Sequence, residues 1–168
     1  MTSRKMKSRS ALICLTIGLA LSLAYGLARI QTSSAAMDPA KVIDERRAKM
    51  KEIAADAKAI NQFVQNGTGD PADVAKKASE ISAYGKLIPD WFPPGTGEGD
   101  NVGTTHAKMD IWSDPAGFKA AAENMSQLAA KLAEVAASGD KAAIAAQFAN
   151  LGKNGCGGCH SKFRAPLQ

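Results

Sequence analysis

The 168-residue chain carries 21 basic and 16 acidic side chains, a net charge of +5, and is 45% hydrophobic with only 5% aromatic residues. That basicity would suggest nucleic acid or an acidic membrane surface, but five of the basic residues lie within the first 36 positions, which hold no acid. The rest carries 16 residues of each sign, so the composition excludes a nucleic-acid partner.

The first segment has Arg4, Lys5, Lys7 and Arg9, then an apolar run from Ala11 to Ala28, then Ser34-Ala35-Ala36. This is the pattern of an export signal cleaved after Ala36, which would discard Cys14. The apolar run is near the lower limit for a membrane span, so a retained anchor is the alternative. The mature chain then begins at Met37, is one domain of ordinary size, and is not membrane-integral. Rich in alanine, lysine and glutamate, it has the composition of a helical protein.

A first helix opens with Asp38 as N-cap and Pro39 at the first helical position, and ends at Asn66-Gly67. Its apolar stripe is Ile43, Met50, Ile53, Ala57, Ile60 and Val64. Asp70-Pro71 opens a second helix, with Val74, Ala78, Ile81 and Tyr84 inward, which must end before Pro89. From Pro89 to Asp114, prolines and glycines break regular structure. This Gly-rich stretch lacks the ending and preceding strand of a phosphate loop, and reads as a crossover pinned by Trp91 and Phe92.

Asp114-Pro115 opens a third helix with Phe118, Ala122, Met125, Leu128, Leu132 and Val135 on one side, ending at Ser138-Gly139. A fourth starts at Asp140, presents Ile144, Phe148 and Leu151, and continues on that face to Cys156, Cys159 and Phe163 until Pro166 stops it. Two short connections and one long one between amphipathic helices predict an all-α, antiparallel four-helix bundle with any cofactor held between helices.

Chemistry concentrates in Cys156-Gly157-Gly158-Cys159-His160. Two thiols three positions apart can each add across a vinyl group of haem, and the next residue offers an imidazole to the iron. A thiol-disulfide centre and half of a zinc site are the rival readings. The first would want a strand-alternating pattern, the second another ligand cluster, and neither is in the sequence. Gly152, Gly155, Gly157 and Gly158 each cost a helix about 1 kcal/mol relative to alanine, and would give a flat ring room to approach the backbone.

This motif at the end of a fourth helix, followed by Phe163-Arg164, resembles the class II c-type cytochromes, the cytochrome c-prime family. The likeness extends to Ile111-Trp112-Ser113-Asp114, to Phe118 and to the Pro-Gly-rich crossover, and runs from about Met37 onward. The resemblance implies one covalent haem c near the C-terminal end of the bundle, with Cys156 and Cys159 as attachment points and His160 as proximal ligand. In the family's high-spin branch an apolar first-helix residue covers the other face and leaves the iron five-coordinate. The low-spin branch places methionine there. The segment Arg46-Arg47-Ala48-Lys49-Met50-Lys51 looks like that stretch, with Met50 in the ligand position and Arg46 near a haem propionate. Arg164 would lie beside the proximal face, one turn after His160.

Each role has a plainer reading. Met50 can be core filler, as Met125 is expected to be. Arg46 can be a surface cation replaceable by Arg47, Arg164 can complement the end of its helix, and His106 reads as solvated surface, with bis-histidine ligation of the iron as its alternative. The leading expectation is a soluble periplasmic carrier of single electrons with His160/Met50 ligation, a redox partner of other proteins rather than an enzyme. The alternative is a five-coordinate cytochrome binding NO or CO. Homodimerisation through the first two helices, as in some relatives, is left open. The balanced charge of the mature chain gives no steering clue to a partner.

Overall fold

The computed structural model describes residues 37–166, so the expected export signal, with Cys14, lies outside the described residues. Four aspartates start the four long helical segments. Asp38 Oδ1 accepts from Ala40 N at 3.1 Å, Asp70 Oδ1 from Asp73 N at 2.9 Å, Asp114 Oδ1 from Gly117 N at 2.9 Å, and Asp140 Oδ1 from Ala142 N at 2.9 Å. Each cap satisfies an amide that the helix itself cannot, worth about 1 kcal/mol. The helices they open are α1 (Pro39–Asn66), α2 (Pro71–Leu87), α4 (Pro115–Ala136) and α5 (Lys141–Asn150), with a one-turn α3 (Asp110–Ser113) before α4. Gly67 and Gly69, at φ 67° and 95°, turn the chain from α1 to α2 in the left-handed region that L side chains resist.

The expected ends hold with three differences. Past α2 the chain winds on as a 3-10 turn over Ile88–Trp91, because a proline in a first turn lacks only an amide that would be unpaired anyway. The fourth helix is not one regular rod: α5 passes into a π-helical stretch, Leu151–Cys156, and then into α6 (Gly157–Phe163). A widened turn carries an extra residue, and so re-aims the face on which the two cysteines arrive. Finally, α6 ends at Phe163 rather than at Pro166. Arg164 is extended and bridges Ala107, with Lys108 N donating to Phe163 O at 3.1 Å and Ala165 N to His106 O at 2.9 Å.

Ile60, Ile81, Leu132, Ile144 and Leu151 are the largest fully buried apolar side chains, one or more from each long segment. On α1, Phe63 is buried and Val64 only half-buried, so the inward face is rotated slightly from the stripe read in sequence. The tightest crossing joins α2 to α4. Ser126 Oγ donates to Ser82 O at 2.8 Å, and a Cβ on Gly85 would lie 2.8 Å from Ser126 Cβ and 3.0 Å from Ser126 Cα. Backbone cannot yield as a flexible side chain can. Gly85→Ala should therefore lose about 1–3 kcal/mol of stability, although helix propensity alone would gain about 1 kcal/mol. Urea midpoints of the variant and its parent at unchanged m-value are the measurement.

Candidate functional site

One end of the bundle encloses a cavity of about 630 Å³, within the range of small-molecule and cofactor sites. Three sources build it. From α1 come Arg46, Met50, Ile53, Ala54 and Ala57; from the crossover and α4 come Phe92, Thr105, His106, Phe118 and Met125; from the tail come Cys156, Cys159, His160, Phe163 and Arg164. Phe92, Phe118 and Phe163 stack edge to face in a row, with centroids 5.0 and 5.2 Å apart. Such a row is a stiff apolar wall. Asp114, the cap of α4, also accepts from Lys162 Nζ at 2.5 Å, which ties α6 to the start of α4. That lysine, and then the Gly117 amide, hold the Asp114 carboxyl below its usual range.

The cysteines are free thiols, half-buried at this wall. Burial pushes both upward, Cys159 to about 11 with Cys156 adding to the effect, and burial followed by Arg164 lowers His160. At neutral pH the wall thus presents two S–H groups and an uncharged imidazole, the forms needed for addition to vinyl carbons and for donation to iron. Zinc would want thiolates and more donors, and among the described residues no group of three or more His, Cys, Asp or Glu could hold a metal ion.

Arg46 departs most from its plainer reading. Only 4% exposed, it donates from Nη1 to Thr96 Oγ1 at 2.8 Å and from Nη2 to Thr96 O at 2.6 Å and Thr105 Oγ1 at 2.5 Å, and it lies 4.6 Å above the Phe92 ring. Every one of these partners is neutral. Burial, and then Arg47, lower its guanidinium to about 10, still charged at neutral pH. Arg47 itself is exposed beside Asp44, 3.7 Å away, and takes none of these bonds.

His106 is also corrected: it is half-buried and lines the cavity. No periodicity runs through the crossover, so the sequence held no signal that would have turned it inward; only its pairing with the tail does so. Met50 lines the cavity half-buried, Met125 is core and lining at once, and Met109 is exposed. Arg164 lines the cavity from the extended tail rather than from the helix.

These features fit a flat, largely apolar ring bearing acid groups. Two thiols and an imidazole share one wall, the aromatic row offers apolar contact, and the buried charge of Arg46 lacks an anion. A family model described as Cytochrome C' matches residues 41–164. The chain belongs to the cytochrome c' family. It is 32% identical to the cytochrome c' of Rhodospirillum rubrum over 147 residues, covering 86% of this chain and 97% of that protein. It is equally 32% identical to the cytochrome c-556 of Agrobacterium tumefaciens over 124 residues, covering 73% and 95%. A solved cytochrome c' from Rhodobacter Spheriodes superposes with a TM-score of 0.69 at 28% identity, covering 78% of this chain and all of that one. Cytochrome c' proteins are four-helix bundles that carry one covalently bound haem c.

Arg46→Met would strip Thr96 and Thr105 of a charged donor. Since Thr96 is fully buried, the loss should be about 3 kcal/mol in the haem-loaded protein. Arg46→Lys should recover only part of it, because an ammonium cannot span the fork. Urea unfolding of both variants checks the order.

Proposed function

We propose that Cys156 and Cys159 hold haem c through two thioethers, that His160 is the proximal ligand, and that the chain binds a small uncharged gas, NO or CO, at the face away from His160. Haem, when bound, supplies an iron that takes a diatomic ligand and changes oxidation state by one electron. One observation carries the reading: apart from the cations Arg46, Arg47 and Lys51, the side chains that α1 gives the cavity are the apolar Met50, Ile53, Ala54 and Ala57. These side chains exclude water and anions and leave an uncharged molecule unhindered by hydrogen bonds. Membership of the cytochrome c' family supports it, since the high-spin branch covers this face with an apolar residue. Met50, flexible and unbranched, is the packing residue here. Arg46 would hold a propionate by the fork geometry that suits carboxylates, and Arg164 would lie beside the His160 face.

A second reading has its own observation. Met50 carries the one thioether on the α1 wall of the cavity, and bound as a sixth ligand it would make the chain a carrier of single electrons. In both readings the protein binds or carries rather than catalyses. It works in the periplasm, exported by its first 36 residues, and among the described residues no helix is long and apolar enough to cross a membrane.

Visible spectra of the exported protein decide between them. The gas-binding reading expects a high-spin ferric spectrum, a prompt Soret shift when CO meets the reduced protein, and little change in Met50→Leu. A low-spin spectrum with a weak ferric band toward the red, converted to high spin by Met50→Leu, transfers the function to electron carriage. A chain no heavier than its amino acids by mass spectrometry would sink both.

A further inference from the structure

We infer that the rim of the cavity is a docking surface for an acidic redox protein, made by Arg47, Lys51 and Arg164. The charged side chains that line the cavity are Arg46, Arg47, Lys51 and Arg164; all are cationic, and no acid joins them. From Met37 onward the chain balances its charges, so this is segregation rather than surplus. Part of the counter-charge lies in a second groove, between α1 and α2, lined by Glu52, Asp56 and Glu80. The inference rests on haem occupying the cavity, and holds for either reading of the iron.

Arg46 is enclosed by Thr96 and Thr105, while the other three cations are exposed. Arg47 touches Asp44 only at 3.7 Å in an exposed pair of little worth, so it can re-pair. Lys51 and Arg164 form no ion pair among the described residues. Arg47 and Lys51 stand one turn apart on α1 and so share a face. Arg164 is fixed beside the cavity by the backbone bonds between the tail and residues 106–108. Two propionates would neutralise two of the four lining cations, which leaves the rim positive.

Either reading needs ferrous iron, and the electron comes from outside: a reduced partner loses one, the iron gains one, and no atom moves. An acidic surface is steered to this rim and away from the acidic groove, at a rate that falls with salt.

The test is stopped-flow electron exchange of the haem-loaded protein with two small reagents, ferrocyanide–ferricyanide as anion and hexaammineruthenium as cation, across ionic strength. The anion's rate should fall about tenfold from low to physiological salt, while the cation's stays flat or rises. Arg47→Glu with Lys51→Glu should cut the anion's low-salt rate about tenfold, with the Soret band unmoved. Short polyglutamate should compete with the anion and polylysine should not. Rates that follow the near-zero net charge, with no salt dependence, overturn the inference. So does polyglutamate without effect, which would leave a small-anion patch, or a dimer in sedimentation that the double variant dissociates, which would make the rim a contact between copies. Absence of a Soret band ends this inference together with the haem assignment; a normal band with salt-independent rates ends this inference alone.

Discussion

Arg46 carries its charge from α1 into the protein interior, and every hydrogen-bond partner it has there is neutral. A guanidinium taken out of water needs its donors filled, and Thr96 and Thr105 fill three of them from a loop fifty and more residues further on. The crossover is thereby drawn down onto α1. Around this anchor the loop finds other partners: Trp112 Nε1 donates to Phe92 O at 3.0 Å, Glu98 N to Ala107 O at 2.9 Å, and Thr96 Oγ1 to Pro93 O at 2.8 Å. A segment too rich in proline and glycine to form a helix gains order from side chains that reach it. Its far end, at Ala107, then pairs with the tail beyond α6. The same loop thus touches α1 at one point and the cysteine-bearing tail at another, which is how one cavity comes to have residues from all three.

How much of this was legible in the sequence depended on whether the responsible interaction was local. Aspartate followed within a few residues by unpaired amides, with proline at the first helical position in three cases, fixes a helix start from neighbouring residues alone, and all four starts were read correctly. The cysteine-cysteine-histidine spacing is local in the same sense. Burial of Arg46 is not, because its partners are remote and a charge in an apolar stripe reads as surface. His106 turned inward through pairing with a tail expected to be helical, so one error concealed the other. The π-helical stretch has no sequence period of its own, and the close contact of Gly85 with Ser126 is visible only once α2 and α4 are placed side by side.

Polarity changes across the cavity in one direction. Toward the bundle the walls are Ile53, Phe118, Met125 and Phe163, and even the thiols and the imidazole are held in uncharged forms by burial. Toward the rim the lining turns cationic with no acid among it. An amphiphilic ring with apolar edges and a pair of acids has one orientation that satisfies both ends, acids outward to Arg46 and its neighbours. Reversal would bury carboxylates against phenylalanine rings, a cost of several kcal/mol. Orientation would therefore be set by solvation before any bond to sulfur or iron forms. On the proposed reading Cys156 and Cys159 would hold the ring in that pose, and the α1 side chain facing it would be the one the pose brings there. Met50, on the α1 wall of the cavity, is the side chain on which the two functional readings divide.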